Sequence, residues 1–321
     1  MNNRRFALIQ ALVSLVALAA VVWWASKQEA PHIPTGGDAV AWIVASIGLY
    51  VLATLVRAER WHRILEHTGV DAKRADCFAL TTVGYMGNNV LPARAGEAFR
   101  VVLLSQRCSA SKRTVISSIV GERVLDVIVL LAFFVVTVYA VLPTADVLPT
   151  RHPLLVTAVG ILLILAGAAA IWVLRSHRFF ARVRDWLRPL ADSPRALVSR
   201  AGLVLLAGTV LLWTIEGSVY WTVSRALEID ISMGGALYLV ALTNFVAALP
   251  AAPGSIGTFD AAVLWGLHRL GATGSAAVSY VILIRFVLYV PITIVGLVVL
   301  VTRYGGWSRL RSATRLEASS A

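Results

Sequence analysis

Six stretches of this chain, at about 6–25, 38–57, 115–138, 153–174, 201–224 and 276–302, are apolar over a length that can cross a bilayer as a helix. A chain with so much of its length in such runs has little left from which to build a soluble core. Its composition agrees: 58% hydrophobic and 14% charged residues, with a mean hydropathy of +0.77, exclude a soluble enzyme. The longest polar segment, about 175–200, is too short for a separate folded core. The expectation is therefore a single all-α polytopic membrane domain over 1–321. The first run follows Arg4 and Arg5 as a signal peptide would, yet it lacks a small-residue cleavage site and more spans follow. It is expected to stay as the first helix.

Two further hydrophobic stretches are interrupted in the same way. One reads GYMGNNVLPARAGEAFRVVLL around Pro92 and Gly96, the other NFVAALPAAPGSIGTFDAAVL around Pro253 and Gly257. Each has an amide side chain upstream, a P-x-x-x-G break and a carboxylate just after it. Paired interruptions of this kind point to the substrate site of a transporter.

The basic residues set the orientation. Arg4 and Arg5, the 57–75 loop with Arg57, Arg60, Arg63, Lys73 and Arg74, the arginine-rich 175–200 loop and the tail from Arg303 are all expected to be cytoplasmic, so both termini face inward. The net charge of +12 is thereby placed between spans and at anionic headgroups, not against nucleic acid. This assignment makes 76–107 and 233–270 re-entrant helical hairpins, or pairs of short helices, entering from opposite faces. The expected fold is six full spans plus two re-entrant hairpins in an inverted-topology repeat, with halves 1–140 and 150–303 and a disordered tail at 304–321. The alternative is eight crossings, with both stretches as kinked spans. Pro92 to Arg123 is 31 residues and Pro253 to Arg285 is 32, so each break keeps a similar distance from an intramembrane arginine.

A proline and glycine break inside the membrane frees backbone groups, which is tolerable only within protein or beside a hydrated cavity. Helices restarting near Gly96 and Gly257 would turn free N–H groups toward an anion such as a lipid phosphate. Asn88, Asn89 and Asn244 can hydrogen-bond a headgroup or satisfy the preceding helix's carbonyls; both readings stand. Arg94 is the strongest single anion-binding candidate, with headgroup snorkelling as its alternative. Glu97 could hold Arg94, cap the next helix or meet a cationic headgroup. Asp260 could cap or balance charge. Glu122, Arg123 and Asp126 lie well inside one span, Glu216 near the centre of another, and Arg285 near the middle of the last, with Tyr289 one turn on. Charges at that depth face the bundle interior, either as internal ion pairs or along a polar pathway. Asp126, Glu216 and Asp260 are candidates for proton coupling. Trp23, Trp24, Trp61, Trp172, Trp186, Trp221 and Trp307 fall at or near proposed span ends as an interfacial belt. Cys77 and Cys108 fit neither a metal cluster nor a disulfide framework. No HExxH or GxSxG motif occurs, so no catalytic residue, metal or cofactor is expected.

The segments NNVLPARAGEAFR, SSIVGERVLDVIVL, LPAAPGSIGTFDAAV and LIRFVLYVPITIVGL resemble the flippase-like membrane region of lysylphosphatidylglycerol synthases, over about 40–302. The resemblance marks Asn89, Pro92, Arg94, Gly96, Glu97, Arg100, Glu122, Arg123, Asp126, Pro250, Pro253, Gly254, Gly257 and Arg285. Asp260 stands where relatives commonly have Glu. The soluble aminoacyltransferase domain of the full synthases does not follow, so synthesis of an aminoacyl lipid is not expected. The resemblance implies a flippase of the bacterial inner membrane, moving an anionic, polyprenyl-linked or hopanoid-like lipid between leaflets. A small-solute or ion transporter, and a membrane scaffold for an envelope-lipid enzyme, are the alternatives. Membrane lipids are the expected partners, and oligomeric state stays open.

Overall fold

The structure, a computed structural model, describes residues 22–23, 26–27, 35–91, 95–141, 200–248 and 252–306. The described residues form eight α-helices and no strand. Helix α1 spans Gly37–His67, with Asp38 in its first turn favourable to the helix dipole; Gly69 follows its end at φ 77°. Helix α2, Arg74–Val90, stops before a proline, and Leu91 is extended at φ −108°, ψ 149° because the residue preceding proline is crowded out of the helical region. Helix α3 is Ala95–Cys108. Helix α4, Lys112–Val136, is capped by the Ser111 hydroxyl accepting from Thr114 N–H at 3.1 Å, and runs into a π-turn at Thr137–Val141. Helix α5 is Arg200–Ala226, and α6, Met233–Ala247, is capped by Ser232. A short 3₁₀ turn, Pro253–Ser255, leads to α7, Thr258–Arg269. Helix α8, Gly274–Tyr304, carries Pro291 and ends at left-handed Gly305.

The expected six full spans with two re-entrant hairpins in an inverted repeat are not what the described residues form, and neither are eight crossings. Among the described residues three helices, α1, α5 and α8, are long and apolar enough to cross a membrane. The 115–138 span is present as α4, but Glu122, Arg123 and Asp126 interrupt its apolar run, and Glu122 and Asp126 are buried in the bundle. Each broken stretch becomes two short helices, of 17 and 14 residues in one and 15 and 12 in the other, each below the roughly 20 residues a crossing needs. The expected 153–174 span, and all but the end of that at 6–25, lie outside the described residues, as does the 304–321 tail beyond Gly306.

Helix α1 packs most extensively on α5, and α2 lies between α3 and α8. One apolar cluster joins α5, α6, α7 and α8 around Tyr220, Tyr238 and Tyr280. A second gathers Trp61, Leu65, Leu80, Met86 and Leu104 where α1, α2 and α3 meet. The glycines of α2 and α3 set how closely those helices cross. A Cβ at Gly96 would overlap the Gly84 carbonyl and lie 2.7 Å from the Asn88 amide nitrogen; one at Gly87 would lie 2.7 Å from Gly96 Cα.

Candidate functional site

Helix α1 does not end where its apolar run ends. Its buried face continues through Tyr50, Ala53, Arg57, Trp61 and Leu65, and so carries Arg57 and Arg60 into the interior. Arg57 Nη2 lies 2.5 Å from Glu216 Oε2 of α5, with its guanidinium 4.8 Å from the Tyr85 ring and 5.6 Å from that of Trp213. Arg60 donates to Asp126 at 2.7 Å and to the Thr209 hydroxyl at 2.9 Å. Trp213 Nε1 donates to the same Asp126 oxygen at 3.1 Å.

Around Glu122 the pairing becomes a network. Arg100 donates to both of its oxygens, at 2.7 and 3.3 Å, and stacks 4.0 Å over the Trp61 ring. Arg123 reaches Glu122 and Asp126, both at 3.2 Å, and lies 3.1 Å from Glu97 at the start of α3. Four arginines (57, 60, 100, 123) thus meet four carboxylates (97, 122, 126, 216). An unpaired charge in this setting would be expensive, and the matching signs let the cluster exist. Several donors stay unsatisfied nonetheless: among the described residues Arg60 Nε and Nη2, Arg100 Nε and Arg123 Nε have no hydrogen-bond acceptor.

The second group is built on α7 and α8. Asp260 accepts the Gly257 N–H at 2.9 Å, capping α7, and pairs with Arg285 through both oxygens. Arg285 also donates to the carbonyls of Gly254 and Ser255, at 3.2 and 3.3 Å, so one guanidinium ties the helix start to the broken backbone before it. Phe259 and Tyr289 flank it, their ring centres 5.1 and 4.9 Å away. Gly254 adopts φ 61°, and a Cβ there would lie 3.3 Å from the Asn89 carbonyl oxygen and 3.2 Å from Tyr289. The end of α2, just before the first break, therefore abuts the 3₁₀ turn of the second stretch. Asn89 is anchored there by donating to Thr293 of α8 at 3.0 Å.

The remaining candidates divide. Asn88 has a buried side-chain oxygen without a partner beside Gly96, whereas Asn244 folds back to donate to the Val240 carbonyl of its own helix at 2.9 Å. Pro253 opens the 3₁₀ turn. Pro92, Arg94 and Pro250 lie outside the described residues. Sequence reasoning missed Arg57 and Arg60, which it assigned to a cytoplasmic loop; continuing the 3.6-residue period past residue 57 would have found them. It also missed Asp76, whose buried carboxylate holds Arg107 and Arg303, each at 2.8 Å, and so ties one end of α2, α3 and α8. An apolar groove of about 550 Å³ along α5, lined by Leu203, Leu206, Ala207, Val210, Leu211 and Thr214, holds none of these charges.

Residues 8–296 match the family model described as the lysylphosphatidylglycerol synthase TM region. The chain is 25% identical over 333 residues to a protein of Haloferax volcanii named glycosyltransferase AglD, covering 89% of this chain but 52% of that protein, about half its length. It is 25% identical to a UPF0104 membrane protein of Methanocaldococcus jannaschii, over 79% of this chain and 82% of the relative. A UPF0104 membrane protein of Methanothermobacter thermautotrophicus is 20% identical, over 89% and 92%.

Proposed function

The chain belongs to the lysylphosphatidylglycerol synthase transmembrane-region family, and we propose that it moves a lipid between the two leaflets of its membrane. The part matched is the transmembrane region, not an aminoacyltransferase domain, in keeping with a transporter that does no covalent chemistry. In this reading the headgroup enters where the end of α2 abuts the 3₁₀ turn, and its apolar chains stay in the bilayer. Arg94, Arg123 and Arg285 contact phosphate, with Asn88, Asn89 and the helix start at Gly96 completing the polar contacts. The cargo is a lipid with an anionic or polyprenyl-phosphate headgroup. The glycosyltransferase name of the Haloferax relative is the reason glycan-bearing carrier lipids stay among the candidates. The relatives named are archaeal and lend no support to a bacterial setting. Both termini are proposed to be cytoplasmic, on the distribution of arginines.

The observation that carries this reading is the junction of Asn89 with Gly254, beside an arginine that is 22% exposed and already bound to broken-helix carbonyls. Broken backbone at such a place is tolerated within protein or where it lines a polar cavity. A phosphatidylglycerol analogue with a photoreactive headgroup, crosslinked in membranes and mapped by mass spectrometry, tests it. Adducts within 84–91 and 252–260 are expected. Adducts confined to the lipid-facing surface of α8 would overturn the assignment.

A second reading, a membrane scaffold for an envelope-lipid enzyme, is favoured by one observation: each buried carboxylate of the network has an arginine partner. The unsatisfied arginine donors weigh against it, because a purely structural cluster gains most when every donor has an acceptor. Such orphaned donors fit a site that admits water or an anion.

A further inference from the structure

The carboxylates of the interior are not held equally. Glu122 is surrounded by three arginines, with Arg100 at 2.7 Å, Arg123 at 3.2 Å and Arg60 at 3.8 Å. Asp126 has two arginines and the Trp213 N–H. Asp260 has Arg285 and a backbone N–H, and Glu216 has Arg57 at 2.5 Å. Glu97 stands apart. Its contact is with Arg123 Nε at 3.1 Å, and that contact lacks hydrogen-bond geometry, for both Glu97 Oε1 and Arg123 Nε are buried atoms without a hydrogen-bond partner. Arg123 meanwhile keeps both terminal nitrogens on Glu122 and Asp126. Removing the charge of Glu97 therefore breaks one poorly formed contact and leaves Arg123 in place. The two side chains are also the accessible edge of the network, 28% and 31% exposed, while Arg60, Arg100 and Glu122 are at 2% or below.

We propose that Glu97 is the proton-carrying carboxylate of this protein, and that a proton on Glu97 and a lipid phosphate on Arg123 are taken up together. The proposal rests on the lipid-transport reading above. The step is an exchange of partners: a proton joins the Glu97 carboxylate, the carboxyl releases Arg123, and the freed Nε–H donates to a phosphate oxygen. The charge lost at Glu97 is replaced by that of the phosphate, so the buried network keeps its balance. The groups facing this corner are Arg123, Glu122 and Asp126 on α4, Arg100 on α3, Arg60 on α1 and Tyr85 on α2. The carboxylates among them are each held by at least two arginines. This assigns coupling to a residue different from Asp126, Glu216 and Asp260.

Linkage makes the exchange reciprocal: if phosphate binding favours protonated Glu97, acid favours phosphate binding by the same factor. The test is calorimetric titration of the purified full chain with short-chain phosphatidylglycerol, in buffers of different ionisation enthalpy. The wild type is expected to take up about one proton per lipid bound, with affinity changing up to about tenfold per pH unit. Glu97→Gln should bind without proton uptake and with no pH dependence, and Glu97→Asp should restore both. Asp230→Asn, at a carboxylate 97% exposed and outside the network, should leave proton uptake as in the wild type. Wild-type binding without proton uptake, or unchanged uptake in Glu97→Gln, overturns the role of Glu97 and leaves the lipid reading standing. Absence of binding by phosphatidylglycerol and by a short polyprenyl phosphate alike overturns both.

Discussion

Arg57 and Glu216 show what a single residue does in this interior. Each is buried, they come from different helices, and their charges are tolerable only as a pair. Glu216→Ala is expected to cost about 3–5 kcal/mol, because it strands the Arg57 charge. Replacing both by methionine should recover most of that loss. Thermal unfolding midpoints in detergent check both statements. The cysteines give a second residue-scale expectation. Burial pushes the Cys77 thiol up to about 12, and burial with the nearby Asp76 raises Cys108 less strongly. The thiolate is the reactive form, so a raised value means a protonated, slow thiol at pH 8. Maleimide should label the partly exposed Cys108 slowly and Cys77 only after denaturation, as peptide mass mapping would show.

At the scale of elements, the breaks were legible and their partners were not. Proline and glycine spacing located both interruptions, since a residue before proline leaves the helix and Leu91 does so. Nothing in the local sequence says that Asn89 and Gly254 touch, because that contact depends on how α2 and α8 pack over a separation of more than 150 residues. Arg57 and Arg60 were read as loop charges because hydropathy falls at residue 57, although helical periodicity does not. Arg100 stood out only through family resemblance; its bidentate hold on Glu122 needs the α3–α4 packing. Two glycines test the element-scale account. Gly254→Ala places a side chain at φ 61° against Tyr289 and should cost about 1–3 kcal/mol. Gly96→Ala must push α3 off α2 at their closest approach, an overpacking change of about 1–3 kcal/mol. Both are read from unfolding midpoints, and Gly48→Ala, where a Cβ meets nothing, is the control.

For the whole molecule, composition and run length identified an all-α membrane protein, and the family match agrees. The count of spans was misjudged. Counting apolar windows treats α4 as a plain crossing, whereas its three central charges bind α1 and α3. Inferring hairpins and an inverted repeat from loop charges failed for a related reason: two of those charges, Arg57 and Arg60, are interior residues and report on packing, not orientation.

The account as a whole holds that this interior carries lipid headgroups across the bilayer. Its most direct test is transbilayer movement in proteoliposomes containing headgroup-labelled phosphatidylglycerol or a labelled polyprenyl phosphate, read by quenching of the outer leaflet. The account predicts that the wild type moves at least one of these lipids faster than empty vesicles, and that Arg94→Ala/Arg285→Ala reduces that rate to the vesicle background. Wild-type movement of both lipids no faster than in the double variant would contradict it.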